Sequence, residues 1–243
     1  MTDTMTKATA AEEGQEYALE LHDLAFSYDD RVLFSGVNLS VRRGDCVAII
    51  GKSGLGKSTL LRIINGFLRP SAGTVRIFGT PVNGSYGSEL RRKVAYIPQN
   101  LGLVENATVL ENVLLARATE SPLRTLFGLW DKKFVSEARA LLHDVGLGDK
   151  ASRKVARLSG GERQRVAIVR AVMQGARIIL ADEPVANLDH DTASSILDLL
   201  TSLAKKDQER VTILVVIHDQ ELAAKYIGEA YALSQGSFTK VAL

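Results

Sequence analysis

Residues 51–59 read GKSGLGKST and follow the apolar run CVAII at residues 46–50. A buried strand, a glycine-rich turn and the start of a helix, in this order, are typical of a loop that binds nucleotide phosphates. Glycines at 51, 54 and 56 permit a backbone whose N–H groups converge on an anion, and the helix that follows adds its positive end to the same site. A glycine turn that binds nothing is the alternative, and the complete G-x-x-x-x-G-K-S pattern disfavours it.

The side chains of this loop supply the parts of a nucleotide site. Lys57 can reach the β- and γ-phosphates of a bound nucleotide, and the Ser58 hydroxyl can ligate Mg²⁺. The residues predicted to bind the nucleotide are Gly51, Lys52, Ser53, Gly54, Leu55, Gly56, Lys57, Ser58 and Thr59.

Composition limits the kind of protein. The chain has 243 residues, 46% of them hydrophobic and 24% charged, which suits one large domain or two small ones with a packed core. Its net charge of +2 is too small to favour nucleic acid as a partner. Cys46 is the only cysteine, so intrachain disulfides and cysteine-cluster metal sites are excluded, and its apolar surroundings predict an inert buried thiol.

No apolar run approaches the roughly 18 residues that span a bilayer, and the N-terminus has Asp3 early and no apolar signal region. The sequence is therefore expected to belong to a soluble intracellular protein that meets a membrane only through a partner. Residues 1–16 are rich in Thr, Ala and Glu and are predicted to form a mobile tail.

Strand-like and helix-like patterns alternate from residue 17 onward. Strands are predicted over residues 17–21, 24–28, 32–34, 37–41, 46–50, 73–79, 94–97, 178–181, 211–217 and 230–233. Helices are predicted over residues 58–68, 134–145, 163–173 and 194–203. The continuous apolar runs at 178–181 and 211–217 are typical of strands that are buried on both faces. An α/β domain with a largely parallel sheet follows.

A pair of carboxylates ends one of these strands. The sequence IILADE at residues 178–183 places Asp182 and Glu183 at the carboxyl end of the strand, where ligands of open α/β sheets bind. Asp182 is predicted to hold Mg²⁺, and Glu183 to polarise the attacking water as a general base. Two carboxylates in a solvated turn are the common alternative, but the phosphate-binding loop in the same chain favours the catalytic interpretation.

A third motif identifies the family. Residues 158–165 read LSGGERQR and precede a helix, and Ser159 with two glycines can offer a hydroxyl and free N–H groups to an anion there. Alone, the serine and glycines would indicate only a helix N-cap. The full string, placed between the phosphate loop and Asp182, resembles the signature motif of ATP-binding-cassette (ABC) ATPases. The matching positions are Leu158, Ser159, Gly160, Gly161 and Glu162, of which the last stands where glutamine is commoner.

The resemblance, which covers nearly the whole chain, implies the fold and the cofactors. It implies a P-loop NTPase (RecA-like) core with a mainly parallel sheet, an antiparallel β subdomain, and an α-helical subdomain at about residues 100–165 that carries the signature. One ABC ATPase domain would then cover residues 17–243, with ATP and Mg²⁺ as its cofactors. Its activity would be ATP hydrolysis coupled to transmembrane transport.

The resemblance also implies roles for single residues. Tyr28 matches the aromatic residue that stacks on adenine in this family, Gln99 matches the glutamine that contacts Mg²⁺ and water, and His218 matches the histidine that contacts the γ-phosphate. Asp189 lies in the loop that crosses the dimer interface, where Asn187 replaces a frequent alanine. An ordinary strand aromatic and a structural histidine are the alternatives for Tyr28 and His218.

Members of this family pair two cassettes head to tail, with ATP between the phosphate loop of one and the signature of the other. The chain has both half-sites, so the resemblance implies a homodimer with ATP as its adhesive. The other implied partners are membrane-spanning permease subunits and a solute-binding protein, at the cytoplasmic side of the plasma (inner) membrane. Two apolar stretches after Gln99, residues 101–104 and 123–130, are predicted to lie near a groove for a permease helix; ordinary core is the alternative.

The class of transporter is read from shorter strings. Residues 123–130 and the sequence DEPVA at residues 182–186 resemble the ATPases of phosphonate importers, which is the favoured interpretation. In contrast, GERQR at residues 161–165 and NLD at residues 187–189 also resemble ATPases that export lipoproteins, lipids or amphiphilic drugs. A soluble ABC ATPase without a membrane partner and a regulatory module without hydrolysis are disfavoured, because the chain shows one cassette and retains Glu183.

Overall fold

The computed structural model describes residues 16–29, 31–82, 87–120, 122, 128–205, 210–234 and 237–242. Within these ranges the strands are β1 (Tyr17–Tyr28), β2 (Arg31–Arg42), β3 (Cys46–Ile50), β4 (Ala72–Ile77), β5 (Thr80–Val82), β6 (Val94–Ile97), β7 (Ile178–Asp182), β8 (Thr212–Val216), β9 (Glu229–Ser234) and β10 (Ser237–Val241). The α-helices are α1 (Lys57–Ile64), α2 (Ser88–Lys93), α3 (Val109–Leu114), α4 (Lys132–Asp144), α5 (Gly160–Met173), α6 (His190–Lys205) and α7 (Gln220–Tyr226). Short 3₁₀ helices lie at Leu115–Glu120, Gly148–Lys150 and Val155–Arg157.

The larger sheet is mainly parallel and has the strand order β10-β9-β3-β8-β7-β6. Strands β9, β3, β8, β7 and β6 run parallel to their neighbours, and β10 pairs antiparallel with β9 at one edge. Strands β7 and β8 are buried along their whole length, as expected for parallel strands that are covered on both faces. The predicted α/β core is thus confirmed, and β10 is an edge strand that the sequence patterns missed.

The smaller sheet is antiparallel, in the order β2-β1-β4-β5, and is the β subdomain that the family resemblance implied. The sequence predicted separate strands at residues 17–21 and 24–28, but the structure has one strand, β1, across both. Asp23 interrupts the regular pairing with a φ of +46°. Its N–H donates to Asn38 Oδ1 (3.0 Å), and Asn38 Nδ2 donates to Asp23 Oδ1 (2.9 Å). These bonds satisfy polar groups at the irregularity, so the strand continues beyond it.

Helix α1 is shorter than its apolar pattern predicted. The pattern covers residues 58–68, but the helix ends at Ile64. Gly66 has a φ of +72°, and its N–H donates to the carbonyl of Ile63 at 2.9 Å. This left-handed closure ends the helix, because glycine adopts the conformation without strain. Phe67, which the pattern counted as helical, is 63% exposed.

Helices α5 and α6 begin earlier than predicted, because capping residues precede their apolar patterns. Ser159 and Glu162 form a reciprocal capping box at the start of α5. Asp189 accepts hydrogen bonds from the N–H and the hydroxyl of Thr192 at the start of α6. Side chains of this kind satisfy the free N–H groups of a first helical turn and so set where the helix begins.

Helices α3, α4 and α5 enclose a hydrophobic core of their own. The signature motif contributes Leu158 to this core. The buried members of the core include Val109, Val113, Leu114, Ala138, Leu142, Leu147, Ala151, Val155, Leu158, Val166, Val169 and Met173. Trp130 and Phe134 pack against this core and are partly buried.

The predicted tail, residues 1–16, lies outside the described part of the chain except for Glu16. The Glu16 carbonyl accepts a hydrogen bond from Arg43 N–H at 3.0 Å, and its carboxylate lies 3.2 Å from Arg42 Nε. Across the described ranges, none of the helices combines the length and the apolar character that crossing a bilayer requires.

Candidate nucleotide site

The loop between β3 and α1 holds the ammonium group of Lys57 inside its own curve. Lys57 is 4% exposed and donates from Nζ to the carbonyl oxygens of Gly51 and Lys52, each at 2.8 Å. Burial lowers the pKa of Lys57, and the charges of Glu183 and Asp182 oppose that shift. A phosphate that enters the loop would offer Nζ charged acceptors, which bind an ammonium more strongly than two carbonyls do.

Two glycines of this loop are required by backbone conformation and by close packing. Gly51 has a φ of +146°, and a Cβ there would lie 2.4 Å from the carbonyl oxygen of Leu233 in β9. Gly56 has a φ of +98°, and a Cβ there would lie 2.7 Å from the side chain of Leu33 in β2. A larger residue at either position would strain the loop, and it would collide with the backbone of β9 at Gly51 or with the side chain of Leu33 at Gly56.

Asp182 ends β7 and is only 4% exposed, with both carboxylate oxygens engaged. Ser58 Oγ donates to Oδ1 at 2.9 Å, and the Tyr96 hydroxyl donates to Oδ2 at 2.9 Å. Ser58 belongs to the first turn of α1, so its bond ties the phosphate-binding loop to β7. Burial, together with the charge of Asp182, raises the pKa of Tyr96 to about 12, so the phenol remains a neutral donor.

Glu183 follows β7 in a left-handed conformation with a φ of +51°. Such a φ is uncommon for a residue with a side chain and often occurs at functional sites. One carboxylate oxygen accepts from Gln99 Nε2 at 3.0 Å, and the other lies 2.6 Å from His218 Nε2. A carboxylate oriented in this way can act as a general base toward a water molecule beside it.

The oxygen donors in this region fit Mg²⁺. The Ser58 hydroxyl, the Asp182 carboxylate and the amide oxygen of Gln99 are of the type that this cation prefers. In the part of the chain that the structure describes, no three His, Cys, Asp or Glu side chains form a metal-binding cluster. Mg²⁺ commonly takes one or two protein oxygens together with phosphate oxygens of its substrate, so a nucleotide site does not require such a cluster.

The signature segment is held by hydrogen bonds within itself. Ser159 Oγ accepts from Glu162 N–H at 3.3 Å, and Ser159 N–H donates to Glu162 Oε2 at 2.9 Å. Lys150 donates to the other oxygen of Glu162, and this hydrogen bond lowers the pKa of the carboxyl group. Lys150 therefore balances the charge that Glu162 introduces where the family more often has glutamine.

The first turn of α5 packs closely against the segment that leads into α6. A Cβ on Gly161 would lie 2.4 Å from Thr192 Cγ2, and a Cβ on Gly160 would lie 3.0 Å from Leu188 Cδ2. Thr192 is also bound by Asp189, whose pKa is lowered by these hydrogen bonds. The two signature glycines thus permit a close contact with the loop that contains Asp189.

The structure places the predicted catalytic and metal-binding residues side by side at the carboxyl ends of the parallel strands. They are Lys57, Ser58, Gln99, Asp182, Glu183 and His218. The hydrogen bonds of Ser159 described above join it to Glu162 within the capping box and do not reach the phosphate loop. Tyr28 is 48% exposed and packs edge-on against Phe26, with ring centroids 4.8 Å apart. Stacking of Tyr28 on adenine stays a prediction.

Sequence reasoning missed three residues that support this site: Tyr96, Lys150 and Gln164. Gln164 is buried on α5 and donates to the carbonyl of Pro184, in the turn after the Asp182–Glu183 pair. The available signal for Tyr96 was a hydroxyl within the short apolar strand at residues 94–97. Nothing in the sequence pattern indicated that this strand lies beside β7.

Comparison with known proteins assigns the family. The family model described as "ABC transporter" matches residues 34–186. The protein named "Phosphonates import ATP-binding protein PhnC 1" from Nostoc sp. is 40% identical over 225 residues, which covers 90% of this chain and 84% of that protein. "Phosphonates import ATP-binding protein PhnC" from Lactococcus lactis subsp. lactis is 41% identical over 204 residues, 82% of each chain.

Solved structures agree with this assignment. The chain is similar to the ADP conformation of an ATP-binding cassette of an ABC transporter, with 29% identity, a TM-score of 0.81, and coverage of 93% of this chain and 91% of that one. It is also similar to a dimeric bacterial ABC transporter cassette, with 32% identity, a TM-score of 0.74, and coverage of 91% and 98%. The phosphate loop, the Asp182–Glu183 pair and the signature therefore belong to an ATP-binding cassette, and this chain is a member of the ABC transporter family and an ATPase.

Proposed function

We propose that this chain is the ATP-hydrolysing subunit of an importer for phosphonates or similar phosphorus oxyanions. The observation that carries the substrate class is the similarity, over most of the chain, to two relatives that are named for phosphonate import. Such an importer has membrane-spanning permease subunits and a solute-binding protein as partners. The chain then lies at the cytoplasmic side of the plasma (inner) membrane and is attached to it through the permease.

The site residues divide the chemistry as follows. Lys57 leaves the loop carbonyls and binds the β- and γ-phosphates, and Ser58, Asp182 and Gln99 are the residues that would hold Mg²⁺. The metal ion, when bound, offsets phosphate charge. Glu183 accepts the proton of the attacking water. The two hydrogen bonds that now orient the Glu183 carboxylate support this role.

His218 and the signature complete the site. His218 Nε2 lies 2.6 Å from a Glu183 carboxylate oxygen, so it can orient the base; the family resemblance implies that it also contacts the γ-phosphate. Ser159, Gly160 and Gly161 offer donors at the start of α5 to the ATP of a second cassette. Because one chain carries both the phosphate loop and the signature, a homodimer is the simplest active unit.

A groove beside the nucleotide site is the proposed surface for the permease. It has a volume of about 650 Å³ and lies between α2, β6, the 3₁₀ helix Leu115–Glu120 and α5. Alanine and leucine side chains supply its apolar part, and Arg91, Arg92 and Arg170 supply positive charge. The occupant that fits is a short apolar helix of the permease that carries an acidic residue.

The two stretches predicted for this contact differ in their relation to the groove. The carbonyls of Leu101 and Gly102 accept hydrogen bonds from Arg170 at 2.6 and 2.7 Å, so residues 101–104 begin next to the groove. In residues 123–130, only positions 128–130 are described. Trp130 packs against the helical core, so its partial burial within the subunit explains an apolar side chain at this position.

Reversing the groove charge should detach the permease. Arg91 and Arg92 are exposed, so replacing both by Glu is expected to weaken co-purification with the membrane subunits by about tenfold or more, because like charges would then face each other. ATP binding by the chain should be unchanged. Lys132 and Lys133 are an exposed basic pair outside the groove, and replacing both by Glu is the matched control. Loss of the complex in the control rather than in the groove variant would place the contact at the start of α4 instead of at the groove.

The substrate class is tested with the chain assembled with its membrane subunits in liposomes. The ATPase rate should rise when a solute-binding protein loaded with a phosphonate is added outside, and not when the same protein is empty. Stimulation by a lipid, a lipoprotein or an amphiphilic drug, with no response to phosphorus oxyanions, would show an exporter instead.

A further inference from the structure

Tyr96 lies between the permease groove and the metal-binding carboxylate. It is the register partner of Leu180, so it stands in β6 beside the end of β7. Its hydroxyl donates to Asp182 Oδ2 at 2.9 Å, and its ring meets the ring of Phe67 edge-on with centroids 6.0 Å apart. The same side chain lines the groove. One phenol thus connects the proposed docking surface to Asp182.

Two hydrogen-bond donors together fix the orientation of the Asp182 carboxylate. Rotation about the Cβ–Cγ axis would move both oxygens, so the bonds from Ser58 Oγ to Oδ1 and from Tyr96 to Oδ2 together restrain it more tightly than either bond would alone. Asp182 is 4% exposed, so solvent does not readily replace a donor that is lost.

A phenol suits this position because it donates without carrying charge. A lysine in its place would neutralise the carboxylate and compete with a cation for it, whereas a tyrosine hydroxyl leaves the negative charge on Asp182. The hydrogen bond therefore fixes orientation and preserves the charge that attracts a metal ion.

We propose that Tyr96 is a positioning residue for the Mg²⁺–nucleotide site, in which its hydroxyl holds the carboxylate of Asp182 in the plane where Asp182 and Ser58 serve one metal ion. The inference rests on the proposed function, which assigns Asp182 to Mg²⁺. Tyr96 acts through Asp182 and does not itself contact the nucleotide.

The test compares the affinity of the full chain for a fluorescent ADP analogue with and without Mg²⁺. ADP is used because it is not hydrolysed, so the readout is independent of turnover. In Tyr96→Phe the affinity without Mg²⁺ should equal that of wild type, and the gain in affinity that Mg²⁺ provides should fall by about tenfold, as for a lost hydrogen bond to a charged group. Melting curves check that each variant is folded.

Tyr231→Phe is the matched control. Tyr231 also donates its hydroxyl to a carboxylate, Glu229 Oε1 at 2.8 Å, and its removal should leave the Mg²⁺-dependent gain at the wild-type value. An equal loss of affinity with and without Mg²⁺ in Tyr96→Phe would overturn the proposal, since it would indicate a general structural defect.

Asp182→Asn separates this inference from the function on which it rests. If Asp182→Asn loses the gain and Tyr96→Phe keeps it, Asp182 remains the metal ligand and the role of Tyr96 is refuted. If Asp182→Asn also keeps the gain, the assignment of Mg²⁺ to Asp182 fails, and the role of Tyr96 fails with it.

Discussion

Replacing Glu183 by Gln is expected to leave ATP binding intact and to lower turnover by about 10²- to 10⁴-fold, the usual contribution of a general base. The amide has nearly the same shape as the carboxylate and can still pair with Gln99 and His218, which lie 3.0 Å and 2.6 Å from the Glu183 oxygens. It cannot accept the proton of the attacking water. Phosphate release from the assembled transporter measures the loss.

The matched control for this substitution is Glu221→Gln. Glu221 is exposed on α7, three residues beyond His218, so its replacement removes the same charge without touching the site. Turnover near the wild-type rate in Glu183→Gln, in a chain that binds ATP normally, would remove Glu183 from the mechanism.

Replacing Ser159 by Arg is expected to lower turnover by about 10²-fold or more, because donors to developing phosphate charge contribute on that scale. The expectation follows from the proposed role of Ser159, which is to bind the ATP of the other cassette. Within this chain its hydroxyl and N–H bond to Glu162, and ATP binding to the phosphate loop of the same chain should be retained.

A control is needed because the substitution also removes a helix cap, which costs about 1 kcal/mol. Thr108 forms the same kind of capping box with Glu111 at the start of α3, so Thr108→Arg removes an equivalent cap outside the signature. Turnover that falls equally in both variants would assign the effect of Ser159→Arg to helix stability rather than to catalysis.

The sequence predicted those helices and strands whose patterns are formed by residues close together along the chain. The apolar run at residues 178–181 is buried on both faces as its pattern indicated. Predictions failed where one residue overrode a pattern. Gly66 ends α1 although the apolar spacing continues past it, and β1 continues through Asp23 although two separate strands were predicted, at residues 17–21 and 24–28.

Short elements were also missed. Helices α2 and α3 have six residues each and α7 has seven, which is too few for an amphipathic period to be recognised. Strand β10 has five residues and pairs with a single neighbour at the edge of the sheet, so it lacks the continuous apolar run of a central strand.

The same division holds for the nucleotide site. The phosphate loop could be predicted because its residues are contiguous and form a known phosphate-binding pattern. The contact of Tyr96 with Asp182 joins positions 86 residues apart, and it exists because β6 and β7 are neighbours in the sheet. The hydrogen bond from Lys150 to Glu162 likewise could not be predicted from the sequence, because the fold brings the two side chains together.

We propose that ATP binds between two copies of this chain, with the phosphate loop of one copy facing Ser159 of the other. Sedimentation velocity of Glu183→Gln tests this arrangement, because the variant is expected to retain the nucleotide that would join the copies. With ATP and Mg²⁺ it should form a dimer, and without nucleotide it should be a monomer. The double variant Glu183→Gln with Ser159→Arg should bind ATP and remain monomeric. Dimerisation of the double variant to the same extent as Glu183→Gln would contradict the shared site.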